Sequence, residues 1–273
     1  MQKRTDQSAA SRDTARDGLL APDEPHPVLE TGGAGQSNFV IVVDHASRRI
    51  PRRLGDLGLP PGELERHIAW DIGALGVATR VAAALDAPLV AQNYSRLVID
   101  CNRDPGVATS IPTLGESIEI PGNIGLTARQ VRARRTEIFD PYHRHLRALI
   151  DARQAAGRRT ILVSQHSMTH TFKGVRRDMH AAVLYNRDRR FAGAMLERLR
   201  CDTSLIIADN EPYRVNDATD YTIPHHAEAR ALPHVAIEIR QDLVQDDTGQ
   251  TAWAQRLTDA LHDVERTFLR ISE

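Results

Sequence analysis

The chain has 273 residues, 41% of them hydrophobic and 26% charged, which is enough apolar material for one sizeable core but includes no apolar run long enough to span a bilayer. Thirty-five basic residues face 36 acidic ones, and the formal net charge of -1 excludes a chain-wide basic field for nucleic acid or an anionic membrane. Two cysteines, Cys101 and Cys201, exclude a disulfide framework and fit a reducing compartment; with no apolar secretory core near the start, a cytoplasmic location is expected.

Residues 1–36 are rich in Ser, Thr, Asp, Arg, Pro and Gly without apolar periodicity, and read as a disordered N-terminal tail. Pro22, Pro25 and Pro27 leave open an extended arm docked on the domain. From residue 37 to 273 a single domain is expected. It opens with Phe39-Val40-Ile41-Val42-Val43, a continuous β-branched run ending in the polar Asp44-His45-Ala46-Ser47, as buried strands of α/β sheets do. A helical pattern follows over 64–85, then strands over 87–91 and 97–100. An irregular stretch at 102–125 contains Pro105, Pro112 and Pro121.

The apolar spacing predicts a helix over 127–156, kinked or split at Pro141, whose nitrogen has no proton to donate. Strands are predicted at 160–164, 181–185, 204–208 and 235–239, helices at 188–199 and 253–269, and a second irregular stretch at 209–233. Strands alternating with helices give an α/β fold with a central sheet of about six to eight strands.

His45 and His166 each follow or end an apolar run beside a polar residue, where side chains emerge at strand ends; two such histidines suggest a shared metal. Zinc takes neutral imidazoles, and a catalytic site pairs them with a third protein ligand. Asp71, in His67-Ile68-Ala69-Trp70-Asp71-Ile72-Gly73, is the leading carboxylate, with a helix N-cap as its alternative; His67 is a supporting partner or a surface residue. Arg96, Asn102 and Arg103 flank a short predicted strand, and such groups suit a carboxylate and a carbonyl oxygen, although surface ion pairing accounts for them equally. Glu238 and Arg240 alternate with apolar residues and share one strand face, where the glutamate is either a positioned acid/base or solvent-facing. His225, His226, Tyr213 and Arg176 are further candidates for substrate contact. No GxSxG, GxxxxGK[ST], HExxH or CxxC pattern occurs, so neither a nucleophilic serine nor nucleotide hydrolysis has support.

Four ordered blocks resemble the N-formylglutamate amidohydrolase family: Val43-Asp44-His45-Ala46-Ser47 with Ile50-Pro51; His67 to Ala74; Tyr94 to Arg103; and Glu238-Ile239-Arg240-Gln241-Asp242-Leu243. The resemblance runs from Asn38 towards the C-terminus and leaves the tail outside. It implies a three-layer α/β/α sandwich with a mixed sheet, like the zinc carboxypeptidases and aspartoacylase, and one Zn2+ held by His45, Asp71 and His166. Glu238 would handle protons and Arg96 would stand by the scissile carbonyl. Asn102 and Arg103 would hold the substrate carboxylate, with Arg240 and His226 also near substrate.

In the carboxypeptidase pattern HxxE a glutamate stands where this chain has Arg48, so Glu116 and Glu211 are reserve ligands. The implied activity is hydrolysis of N-formyl-L-glutamate to formate and L-glutamate, a step of bacterial histidine breakdown. Another N-acylated amino acid as substrate, or a non-catalytic metal- or ligand-binding protein, are the alternatives. The expected partner is a small molecule, with neither nucleic acid nor membrane.

Overall fold

The apolar runs of the sequence become a sheet because both of their faces are covered. In the computed structural model, which describes residues 18–271, the elements in chain order are β1 (Val28–Thr31), β2 (Phe39–Val43), α1 (Ala74–Leu85), β3 (Leu89–Gln92), β4 (Leu114–Gly115), β5 (Ile118–Glu119), α2 (Ala128–Arg134), α3 (Asp140–Ala155), β6 (Ile161–Met168), β7 (Thr171–Phe172), β8 (Val175–Arg176), β9 (Ala181–Leu184), α4 (Arg190–Arg200), β10 (Ile207–Asp209), β11 (His234–Arg240) and α5 (Asp247–Ile271). Along β2, Phe39, Ile41 and Val43 pack towards α1, α4 and α5, while Val40 and Val42 pack towards α3. Period-two alternation thus feeds two cores, and every residue of the strand is buried. The result is the expected three-layer α/β/α sandwich.

The seven-stranded sheet has the order β1-β3-β2-β6-β11-β9-β10. Strands β3, β2, β6 and β11 are mutually parallel; β9 is antiparallel to β11 and parallel to β10, and β1 is antiparallel to β3, so the sheet is mixed. Parallel pairing brings the carboxyl ends of β2, β6 and β11 together, and the register sets Glu238 directly beside His166. Open α/β sheets bind their ligands at such ends. Two small hairpins, β4–β5 and β7–β8, stand outside the sheet. No helix among the described residues is long and apolar enough to cross a membrane.

Several expectations are corrected. The segment 18–36 is not a free tail: β1 pairs with β3 from Val28↔Gln92 to Thr31↔Leu89, Leu19 is buried, and the Leu19 and Leu20 N–H groups donate to Glu137. The Tyr94 hydroxyl and the Asn93 amide donate to the carbonyls of Pro25 and His26. These are mostly backbone attachments at a sheet edge, which leave no apolar periodicity to read; residues 1–17 of the expected tail lie outside the described residues.

The 64–85 helix begins only at Ala74, because Gly73 adopts φ 79° and its position admits no side chain, a Cβ there lying 2.0 Å from the Val244 carbonyl oxygen. The 97–100 stretch is a turn closed by Val98 N–H to the Ser95 carbonyl; it looked like a strand because Leu97 is buried in one apolar cluster and Val98 and Ile99 in another. The 127–156 helix is capped by a Thr127–Gln130 box and interrupted by a π-turn at Arg135–Phe139, which delivers Pro141 to the first turn of α3, where a missing N–H does no harm.

Candidate metal and active site

His45 lies two residues beyond β2, and its carbonyl accepts the Asp71 N–H at 2.9 Å, which docks the turn before α1 against the end of the sheet. The Asp71 carboxylate therefore enters from that turn rather than from a helix. Its Oδ2 stands 3.3 Å from His45 Nδ1 and 2.9 Å from His166 Nδ1, and all three residues are buried. One donor atom from each falls within 4.8 Å of the others. Donors on a tetrahedral ion at about 2.0–2.2 Å stand roughly 3.3–3.6 Å apart, and the two imidazole–carboxylate spacings, 3.3 and 2.9 Å, lie near that range, so the three groups could hold a metal ion.

The outer nitrogens are engaged as well. His45 Nε2 meets Asp100 Oδ1 at 2.7 Å, and His166 Nε2 meets Ser164 Oγ at 2.9 Å, with Asp44 Oδ2 at 3.7 Å. Such partners fix the orientation of ligating imidazoles. Asp44 is itself held through Oδ1 by the hydroxyls of Tyr142 and Thr222. Arg96 donates to Asp100 Oδ2 at 2.7 Å and lies 3.6 Å from Asp71 Oδ1. Asp100, Asp44 and Ser164 were absent from the expected site. The signal for Asp100 was a carboxylate directly behind the buried Val98-Ile99, where an unpaired charge is too costly to persist.

Charge accounts for the protonation pattern. Burial and the Arg96 guanidinium oppose a proton on His45, yet Asp100 and Asp71 hold it above its ordinary value. Burial also opposes the proton of His166, but the hydrogen bond and charge of Asp71 raise it to about 9. Burial would raise Asp71 and Asp100; instead His45 and His166 hold Asp71 well below the usual carboxylate range, and Arg96 and His45 do the same for Asp100. The arrangement thus demands positive charge beside Asp71 and Asp100, carried here by the imidazoles and Arg96, and a divalent cation would meet the same demand. Glu238 behaves oppositely: burial, with a contribution from Asp71, raises its carboxyl to about 7 against the pull of His166, and its buried Oε2 has no hydrogen-bond partner.

His45, Asp71, Arg96, Asp100, His166 and Glu238 lie at the floor of a cleft of about 670 Å³ whose walls include Asn102, Arg103, His67 and Glu116. Asn102 accepts the Thr222 N–H at 3.0 Å, and Arg103 reaches Asp220 at 3.3 Å. Glu116 is taken by Arg66 and His67, away from the three-residue cluster, so it does not serve as the reserve ligand. Glu211 is exposed and outside both the cluster and the cleft wall, and Arg48 stacks over Trp70 beside Glu65.

Two expected substrate contacts do not reach the cleft. Arg240 is consumed by Asp242 and by the carbonyls of Arg177, Asp178 and Met179. His226 is fully buried behind the Cys101–Arg103 segment, its Nε2 2.9 Å from His143 Nδ1, while His143 Nε2 donates to the Cys101 carbonyl at 2.8 Å. Burial lowers His226 to about 3 and His143 well below its ordinary value, so both are neutral packing groups. His225 stacks on Tyr221 at 3.8 Å and Arg176 is exposed beside Asp178, while Tyr213 does line the cleft.

A family model described as N-formylglutamate amidohydrolase matches residues 37–245. The structure of the gene product Atu2144 from Agrobacterium tumefaciens is similar at 35% identity and a TM-score of 0.89, covering 92% of this chain and 99% of that one. The N-formylglutamate amidohydrolase from Ralstonia eutropha JMP134 shares the fold at 19% identity and a TM-score of 0.69, covering 91% of this chain and all of its own (100%). Among curated proteins there is no match.

Proposed function

The chain belongs to the N-formylglutamate amidohydrolase family, and we propose that it is a zinc-dependent hydrolase of N-formyl-L-glutamate, releasing formate and L-glutamate. The observation that carries this reading is the placement of a perturbed acid, Glu238, beside a buried two-histidine, one-carboxylate cluster at the floor of a cleft. His45, Asp71 and His166 would hold the ion, a donor set that suits catalytic zinc. When bound, zinc supplies Lewis-acid polarisation and makes water acidic enough to ionise near neutral pH.

The chain's own groups do the rest. Glu238, with a carboxyl near neutrality, accepts the proton of the attacking water and returns it to the departing amine nitrogen. The Arg96 guanidinium, fixed by Asp100, faces the negative charge that develops on the former carbonyl oxygen, and losing one such donor typically lowers the rate about 100- to 1000-fold. Asn102 and Arg103 bind the amino-acid carboxylate and hold the scissile bond over the cluster.

The cleft is within the range of sites for drug-sized ligands, which favours as a second reading an N-acyl group larger than formyl. Formate and acetate release from N-formyl-L-glutamate, N-acetyl-L-glutamate, N-formyl-L-aspartate and N-formyl-L-glutamine, before and after chelation and zinc restoration, separates the two. Zinc-dependent release fastest from N-formyl-L-glutamate supports the first reading. Preference for N-acetyl-L-glutamate supports the second, and no release from any of the four refutes the first.

A further inference from the structure

The polar groups of the cleft are almost all spoken for by one another. Arg96 is held by Asp100 and Asp71, Arg103 by Asp220 with Asp100 at 4.0 Å, and His67 by Glu116. Arg214 is different: it lines the same cleft, is exposed, and has no carboxylate or carbonyl partner for its guanidinium among the described residues. Unpaired arginines are unremarkable on the surface of a chain with so many of them, but this one belongs to the wall of the cleft that the proposed reaction assigns to substrate.

Its backbone is well anchored. The Arg214 carbonyl accepts the Asn216 side-chain amide, the Asn216 N–H donates to Asp220 Oδ2, and the other oxygen of Asp220 takes Arg103. The loop that carries Arg214 is therefore fastened to the partner of the arginine assigned to the substrate's amino-acid carboxylate. Immediately before it, the Tyr213 hydroxyl accepts a hydrogen bond from Arg177 at 2.7 Å, and the Arg177 guanidinium stacks on both Tyr213 and Phe172, which clamps the loop from its other side.

A fixed loop presenting an uncommitted guanidinium is suited to a second anion. Arg103 and Asn102 account for one carboxylate, and Arg214 offers a two-pronged donor to another. We propose that Arg214 reads the side-chain carboxylate of the substrate and makes the cleft selective for N-acylated dicarboxylic amino acids over their neutral isosteres. This rests on the reading of the site given above.

The test is equilibrium binding rather than turnover, so that it stands apart from the hydrolytic assignment. N-formyl-L-glutamate and N-formyl-L-glutamine are titrated into full-length protein carrying Glu238→Gln, with Arg214 intact, with Arg214→Met, and with Arg176→Met as a control outside the cleft. With Arg214 intact the glutamate derivative should bind about 10- to 100-fold more tightly, as expected of one charge-assisted contact. That ratio should fall to within about threefold of unity in the Arg214→Met protein and persist in the Arg176→Met protein.

A ratio unchanged by Arg214→Met overturns the proposal, as does a ratio near unity in the parent or failure of both compounds to bind. If the ratio collapses as expected but protein with Glu238 intact hydrolyses neither compound, the selectivity assignment stands and the hydrolase reading falls.

Discussion

Asp100→Asn is a severe perturbation of the site even though Asp100 is not in the ligand cluster. One carboxylate receives His45 Nε2 at 2.7 Å, Arg96 at 2.7 Å and the Asn102 N–H at 2.9 Å, and it is buried. An amide has one acceptor oxygen, so it can serve His45 and Asn102 on the Oδ1 side or Arg96 on the other, and its NH2 then opposes a donor. Each charge-assisted bond is worth about 1.5–3 kcal/mol, and an arginine left uncompensated in a buried setting costs about 3–5 kcal/mol.

Part of that loss is recovered because Arg96 is 25% exposed along its side chain and can relax towards the cleft. Metal affinity should fall about 10- to 100-fold through misorientation of His45, and kcat/KM about 100- to 1000-fold because Arg96 is displaced as well. Chelator competition gives the first quantity and initial-rate formate release the second. Values within threefold of wild type for both would refute the argument that Asp100 positions His45 and Arg96.

The raised carboxyl of Glu238, about 7 against an ordinary 4.5, has two consequences. Activity should rise with pH along an acid limb at or below about 7, a bound cation moving it downwards, and a flat profile between pH 5 and 8 would contradict the base assignment. Because the folded state disfavours the ionised form, Glu238 detracts from stability as pH rises from 4.5 through about 7, so Glu238→Gln should stabilise the metal-free protein by ~1–3 kcal/mol at pH 8 and by little at pH 4 in denaturant titrations.

The His143–His226 pair predicts acid sensitivity of the opposite sign. A His226 value lowered from 6.5 to about 3 means that stability present above pH 6.5 is lost as the pH falls towards 3, by ~2–3 kcal/mol at pH 4.5 from this residue alone. His226→Gln should flatten that dependence in the same titrations, whereas an unchanged slope would contradict it. Gly73→Ala forces a Cβ to 2.0 Å from the Val244 carbonyl oxygen at φ 79°, and should lower stability by more than about 2 kcal/mol and weaken metal binding through Asp71; a neutral effect on both would contradict the placement of that turn.

The sheet was legible in the sequence wherever a strand is buried on both faces, because β2, β6 and β11 then read as apolar runs with polar residues at their carboxyl ends. That reading located His45, His166 and Glu238. What placed Glu238 next to His166 was strand register, which no local pattern encodes. Strand β1 escaped notice because its attachment is made by backbone groups, and Asp100 because an apolar triplet feeding two clusters imitates a strand. Arg240 and His226 failed for another reason: residue type advertises chemistry, but their partners, three backbone carbonyls in one case and a second histidine in the other, are tertiary facts.

In the proposed mechanism the His45–Asp71–His166 ion site and a separate acid divide the labour of hydrolysis. Replacing Glu238 by glutamine keeps His45, Asp71 and His166 and removes only the proton acceptor. Zinc content and formate release measured on the same Glu238→Gln preparation, beside wild type, test this most directly. One zinc per chain should be retained, with turnover lowered at least about 1000-fold. Turnover within tenfold of wild type with zinc retained, or loss of the zinc itself, would contradict it.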